Sequence, residues 1–234
     1  MREVARIAAE NVANPKPVKT ELVFILDRSG SMGGVEGDVI GGFNNLLEKQ
    51  KREKGECFVT TALFDDKISV LHNRKAIREV EPITTREYTI GGTTALYDAL
   101  GGAIDAQVML QRSLSNKEKA DKVVFAIITD GYENASRKFS ADMVRKMVKY
   151  QTEEWGWEFL FLGANIEASE VAKNIGVAED RAVDFVCDGS GVGLGYDAVD
   201  RAVRNVRNRR RVEDIDEYGY SWRDQIDRDY QSRR

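Results

Sequence analysis

The sequence predicts a doubly wound α/β domain: a mostly parallel central sheet with one antiparallel edge strand and helices on both faces. Three observations predict it. Glu21–Asp27 (ELVFILD) and Val123–Thr129 (VVFAIIT) are continuous apolar runs of strand length, the pattern of strands buried on both faces. Stretches with apolar residues at helical spacing separate the strands, as crossovers in a parallel sheet do. The 234 residues, 42% hydrophobic and 32% charged, suffice for one sizeable globular domain with a short extension at one or both ends.

The elements follow in chain order. Residues 1–18 form an N-terminal extension, a short amphipathic segment ended by the Pro-broken linker NPKPVK. After the first strand comes a loop of small residues, RSGSMGG, and then a helix over about 37–52 with Ile40, Phe43, Leu46 and Leu47 on one face. Cys57–Phe64 alternates as a strand, and Asp65-Asp66-Lys67 turns it into Ile68–Leu71 as a hairpin, the antiparallel edge. IGGTTAL opens a helix over about 94–111, with Thr93 or Thr94 as its cap. The second central strand runs into Asp130-Gly131, and a helix over about 140–151 follows with Ser140 as N-cap. WEFLFL (157–162) is a third buried strand, 168–174 a short helix ended by Gly176, and 181–186 a last, weaker strand. A Gly-rich stretch, 188–195, leads into a final helix over about 196–207. The domain spans 19–210, and 211–234 is a charged C-terminal tail without an apolar stripe.

Composition excludes several classes. Net charge is −4, which does not suggest general nucleic-acid binding. The arginines at 201, 204, 207, 209, 210 and 211 read as a cation-rich helix C-terminus, favourable with the helix dipole, more than as a nucleic-acid stripe, which would want interleaved aromatics. Two cysteines, Cys57 and Cys187, imply no disulfide framework. No signal peptide and no membrane span is legible, so a cytoplasmic location is expected. His72, the one histidine, reads as an edge-strand surface residue, and Asp65 and Asp66 as a solvated turn. Tyr218, Tyr220, Trp222 and Tyr230 stand among dense charge in the tail, which reads equally as a disordered terminus or as a segment that docks on its own domain or on another chain; self-association through the tail is a further expectation of the second reading.

Three segments converge on chemistry. Asp27-Arg28-Ser29-Gly30-Ser31 and Asp130-Gly131 each follow a central strand, and Gly91-Gly92-Thr93 precedes a helix. Ligand sites in open parallel sheets lie beyond the carboxyl ends of the strands. Every candidate ligand in these segments is a hard oxygen, which suits Mg²⁺, with Mn²⁺ or Ca²⁺ as alternatives, and no histidine or cysteine lies there to make a soft transition-metal site.

DRSGSM after a hydrophobic strand, GGT before a helix and ITDG after another strand resemble the metal-ion-dependent adhesion site (MIDAS) of von Willebrand factor type A (vWA) domains, here of an intracellular bacterial or phage type. The first motif of that family, Asp-x-Ser-x-Ser, matches Asp27, Ser29 and Ser31; its threonine matches Thr93, with Thr94 as the register alternative; its second aspartate matches Asp130. The resemblance implies direct metal coordination by Ser29, Ser31 and Thr93, with Asp27 and Asp130 largely holding ordered waters. Uncharged hydroxyl ligands leave such an ion electron-poor, so an outside carboxylate can complete its shell. The expected function is therefore metal-dependent binding of a protein partner that presents an Asp or Glu, without catalysis. Arg28 sits at the variable position and either attracts an acidic partner or points to solvent.

Two other classes compete. A metal-dependent phosphohydrolase would use Asp27 as nucleophile, as haloacid-dehalogenase-type phosphatases do, but the general acid expected two residues later is Ser29 here. A structural component of a bacterial or phage assembly could use the same metal contact for self-association.

Overall fold

A computed structural model describes residues 18–216 and 218–233. The N-terminal extension read at 1–18 lies outside the described residues except for Val18, which is buried.

The strands are β1 (Thr20–Asp27), β2 (Cys57–Phe64), β3 (Ile68–Ala76), β4 (Lys122–Thr129), β5 (Glu158–Ala164) and β6 (Ala182–Phe185). They form one sheet in the order β3-β2-β1-β4-β5-β6. Every pairing is parallel except the β2–β3 hairpin. The helices are α1 (Glu36–Gln50), α2 (Leu96–Ser113), α3 (Ala141–Trp155), α4 (Ala168–Asn174), α5 (Gly189–Arg207) and α6 (Asp224–Arg233). The doubly wound α/β fold read from the sequence is the one observed.

The alternation of β1 sorts the core into two layers. Leu22, Phe24 and Leu26 face a cluster built with α1 and α5, including Phe43, Leu47, Val199 and Val203. Val23 and Ile25 face a second cluster built with α2, α3 and α4, including Leu100, Ile104, Val148 and Ala172. All eight residues of β1 are buried, because both faces are covered. Strand order reverses between β1 and β4, so their carboxyl ends flank the topological switch point where ligands bind in open α/β sheets. Asp27 closes β1 and Asp130 follows β4 there.

Some elements differ from the sequence reading for identifiable reasons. The last large helix, expected from 196, begins at Gly189. Asp188 caps it by accepting the Gly191 N–H at 2.8 Å. A Cβ at Gly191 would lie 2.0 Å from the Val186 carbonyl oxygen, so the glycine lets the helix start close against the end of β6. Neither Thr93 nor Thr94 caps α2; its first N–H groups go to Glu133 Oε2 (Tyr97 N, 2.9 Å) and Ser136 Oγ (Asp98 N, 2.9 Å) from the loop after β4. Ser140 does cap α3, accepting from Met143 N.

The segment expected as a charged tail packs onto the domain. Val212, Trp222 and Ile226 are buried in the same cluster as Val183 and Phe185 of β6 and Val206 of α5. Polar ties hold it: Asn205 Nδ2 donates to the carbonyls of Val212 (3.2 Å) and Asp214 (2.7 Å), and Arg233 pairs with Asp188 at 2.6 Å. The docking inferred from the tail aromatics therefore takes place on the chain's own domain. The arginine stripe is consumed by the same packing. Arg201 pairs with Asp216, Arg204 with Asp200 and Glu53, and Arg210 and Arg211 with Asp214, while Arg207 is buried over the carbonyls that end α1.

His72 is buried, not a surface residue. Its Nδ1 lies 3.0 Å from Thr61 Oγ1 and its ring stacks on Phe43 at 6.4 Å. Burial, with the charge of Lys75 adding, holds its pKa below the usual value. A lowered folded pKa means that the unfolded chain takes up the proton first on acidification, so stability present above about 6.5 is lost as pH falls below it. Urea melts at pH 7.5 and pH 5 are expected to show this loss, and His72→Phe to flatten it; an unchanged slope in the variant would remove His72 as the cause.

Candidate metal centre

The site is built at the switch point from β1, β4 and the segment before α2. Asp27 is buried, and its two carboxylate oxygens are held separately: Oδ1 accepts the Ser29 N–H at 2.7 Å and Oδ2 accepts the Thr129 hydroxyl at 2.5 Å. Tyr88, fully buried, donates its hydroxyl to the Asp27 carbonyl at 2.5 Å and fixes the backbone where the strand ends. The chain then turns through a short 3₁₀ segment, Gly30–Met32, which brings Ser31 back toward β4. Ser29 Oγ and Ser31 Oγ lie 3.1 Å apart, and Ser31 Oγ donates to Asp130 Oδ1 at 2.5 Å. Four of the five expected residues, Asp27, Ser29, Ser31 and Asp130, thus form one constellation of oxygen donors.

Of the two threonines, Thr94, the register alternative, is the one whose hydroxyl reaches this cluster, and Thr93 does not. Thr93 is exposed and Thr94 is buried. A methyl at Gly131 would stand 3.1 Å from Thr94 Oγ1 and 3.4 Å from Ser31 Oγ, so the two hydroxyls converge beside the residue that follows Asp130. The backbone sets this register. The Thr94 N–H donates to Asn134 Oδ1 at 2.9 Å, its carbonyl accepts the Asn134 N–H at 3.0 Å, and the Ala95 N–H donates to the Asp65 carbonyl at 2.9 Å. The hairpin tip and the loop after β4 grip the chain at 94–95 and leave Thr93 outside.

Asp65, expected in a solvated turn, is buried under this loop, while Asp66 is exposed. Asp65 Oδ2 pairs with Arg28 Nε at 3.0 Å. Arg28 is mostly buried, so its charge faces an internal acid and not the solvent. Thr129, Tyr88, Asn134 and Asp65 are the positioning residues that sequence reasoning missed. A threonine ending an otherwise Val/Ile strand, directly before the second aspartate, was the one local signal available.

The electrostatics of the two acids fit a cation between them. Burial raises the carboxyl of Asp27 above its usual range, against the lowering effect of its hydrogen bonds. Burial likewise raises Asp130, and the like charge of Asp27 raises it further. Two buried carboxylates that repel each other, ringed by hydroxyl oxygens, fit a hard divalent ion. Half-buried Cys187 places its thiol 3.9 Å from Asp130 Oδ2, and its pKa is pushed up to about 11, chiefly by burial. A neutral thiol does not compete with the oxygens for a hard ion.

No protein-family model and no curated protein sequence matches the chain. Solved structures do resemble it. Proximal thread matrix protein 1 (PTMP1) from the mussel byssus aligns over 80% of this chain and 46% of its own, with 17% identity and a TM-score of 0.55. A further structure of that protein has a zinc-occupied MIDAS motif. A von Willebrand factor type A protein from Catenulispora acidiphila aligns over 81% of this chain and 43% of its own, at 13% identity and a TM-score of 0.52. The vWF domain of the type V pili tip protein Mfa5 from Porphyromonas gingivalis aligns over 80% of this chain and 96% of its own, at 10% identity and a TM-score of 0.53. The chain thus spans a little under half of PTMP1, and its fold is that of vWA domains.

Proposed function

We propose that this chain is a metal-dependent binding module, in which a divalent cation at Ser29, Ser31, Thr94, Asp27 and Asp130 takes up a carboxylate from an Asp or Glu of a protein partner. The observation that carries this reading is the single cluster of oxygen donors, linked through Ser29 Oγ, Ser31 Oγ and Asp130 Oδ1, at the switch point of the sheet. When bound, the cation supplies an electron-poor centre that an anionic group can ligate. The protein's part is preorganisation: Thr129 and the Ser29 N–H orient Asp27, and Ser31 orients Asp130, before any partner arrives.

Binding is favoured over catalysis because the site holds no free general acid or base. Two residues after Asp27 stands Ser29, whose hydroxyl is engaged with Ser31. Mg²⁺ is the ion we favour, because the donors are oxygens and the two carboxylates balance its charge. Zn²⁺ belongs among the ions tested, since a MIDAS motif holds it in PTMP1. A cytoplasmic setting is proposed from the two free thiols. Among the described residues no helix is long and apolar enough to cross a membrane.

Calorimetric titration with Mg²⁺ or Mn²⁺ tests the site itself. Thr94→Ala is expected to weaken metal binding by about 10–100-fold, while Thr93→Ala leaves it within error. The reverse pattern would return the site to the other register. Capture of a partner from the native host, with and without EDTA, then tests the function. A partner held equally well in EDTA would refute metal-mediated recognition. Sedimentation in Mg²⁺ and in EDTA separates self-assembly through the same contact from capture of a different protein.

A further inference from the structure

At the end of the sheet away from Asp27 and Asp130, the C-terminal turns of α2 and α3 and the start of β4 enclose a cavity of about 150 Å³. Trp157 is buried in its wall, with its ring stacked on Phe125 at 5.8 Å. Trp155 stands at the mouth, 66% exposed, an unusual position for the largest apolar side chain. Gln151, 7% exposed, also lines the cavity.

The charge around the cavity is one-sided. Arg112, Lys119 and Lys122 line it, and none of them forms an ion pair with a described residue. The one acid there, Asp121, is already engaged, accepting the Lys19 N–H at 2.9 Å. The cavity thus combines an aromatic wall with a cationic rim. A void of about 150 Å³ is the size that accepts one benzene ring.

We infer that this cavity is a second ligand site, separate from the metal centre, that takes a small aromatic carboxylate. The ring lies against Trp157 and under Trp155, and the carboxylate meets Arg112 and Lys122. The same chemistry could come from a free metabolite or from a phenylalanine at the C-terminus of a peptide.

The test is titration of the full chain with sodium benzoate, followed by two-dimensional NMR of the tryptophan indole N–H groups. EDTA is present throughout, so that no carboxylate reports through a metal. Saturable shifts are expected at Trp155 and Trp157, with Trp222, in the opposite core layer, unmoved. Benzamide, of equal size but neutral, is expected to bind at least about tenfold more weakly than benzoate, and Arg112→Glu to weaken benzoate by a similar factor. N-acetylphenylalanine binding more tightly than benzoate would identify a peptide terminus as the source, and the opposite order a free small molecule. The inference is overturned if benzoate gives no saturable shift, if benzamide binds as tightly, or if Trp222 responds in parallel with the other two.

Discussion

Replacing Trp222 by alanine is expected to cost about 3–5 kcal/mol of stability, the range for removing a fully buried large aromatic. The residue lies outside every regular element, two positions before α6, and its neighbours in sequence are polar or charged. Nevertheless it is 1% exposed and belongs to the same buried cluster as Val183, Phe185, Val203 and Ile226. That cluster includes the apolar side chains of the last strand of the sheet, which has only β5 as a pairing partner among the described residues. Without the indole the surrounding side chains lose their packing, and the polar ties of 212–216 must hold the segment alone. Tyr218→Ala is the matched control, because Tyr218 is 74% exposed and its loss should stay within about 0.5 kcal/mol. Urea denaturation monitored by circular dichroism measures both. Equal midpoints for Trp222→Ala and the unaltered chain would mean that the segment is peripheral. If the segment is removed instead, from residue 212 onward, the apolar surface of β6 and α5 is uncovered, and self-association is the expected consequence.

The central part of this architecture was legible because its physics is local. A strand covered on both faces must be apolar at every position, and β1 and β4 carry that pattern without interruption. Hard-oxygen side chains right after two such strands mark the functional edge. What was not legible rests on contacts between residues distant in sequence. Nothing near Thr93 and Thr94 says which of them turns inward; Asn134 and Asp65, 40 and 29 positions from Thr94, decide it. Thr129 looks like an ordinary β-branched strand residue until Asp27 is placed beside it. The start of α5 was hidden by glycines, each costing about 1 kcal/mol of helix propensity, a debit offset by the Asp188 cap and by close packing on β5 and β6. The C-terminal segment was read as a tail because three buried residues spread over fifteen positions make no periodic stripe.

The largest functional effect is expected at Asp130. In Mg²⁺ at about a hundred times its dissociation constant, the chain should gain about 2.7 kcal/mol, since the ion binds the folded state alone. For a chain of this size that corresponds to a rise of about 5–10 °C in melting temperature. Asp130→Asn is expected to abolish the rise without harming the metal-free fold. Asparagine keeps an oxygen to accept the Ser31 hydroxyl, and it removes a charge that burial and Asp27 both disfavour. In EDTA the variant should therefore melt at or above the unaltered chain, and in Mg²⁺ below it. This crossing of the two curves is the signature of a carboxylate kept for an ion and not for the fold, because a purely structural aspartate would lose stability in both buffers. Differential scanning fluorimetry in EDTA, Mg²⁺, Mn²⁺ and Zn²⁺ reads it directly. If no divalent ion shifts the unaltered chain, or if Asp130→Asn shifts as much, the two carboxylates do not share a cation, and the case for recognition of an acidic partner through this edge of the sheet goes with them.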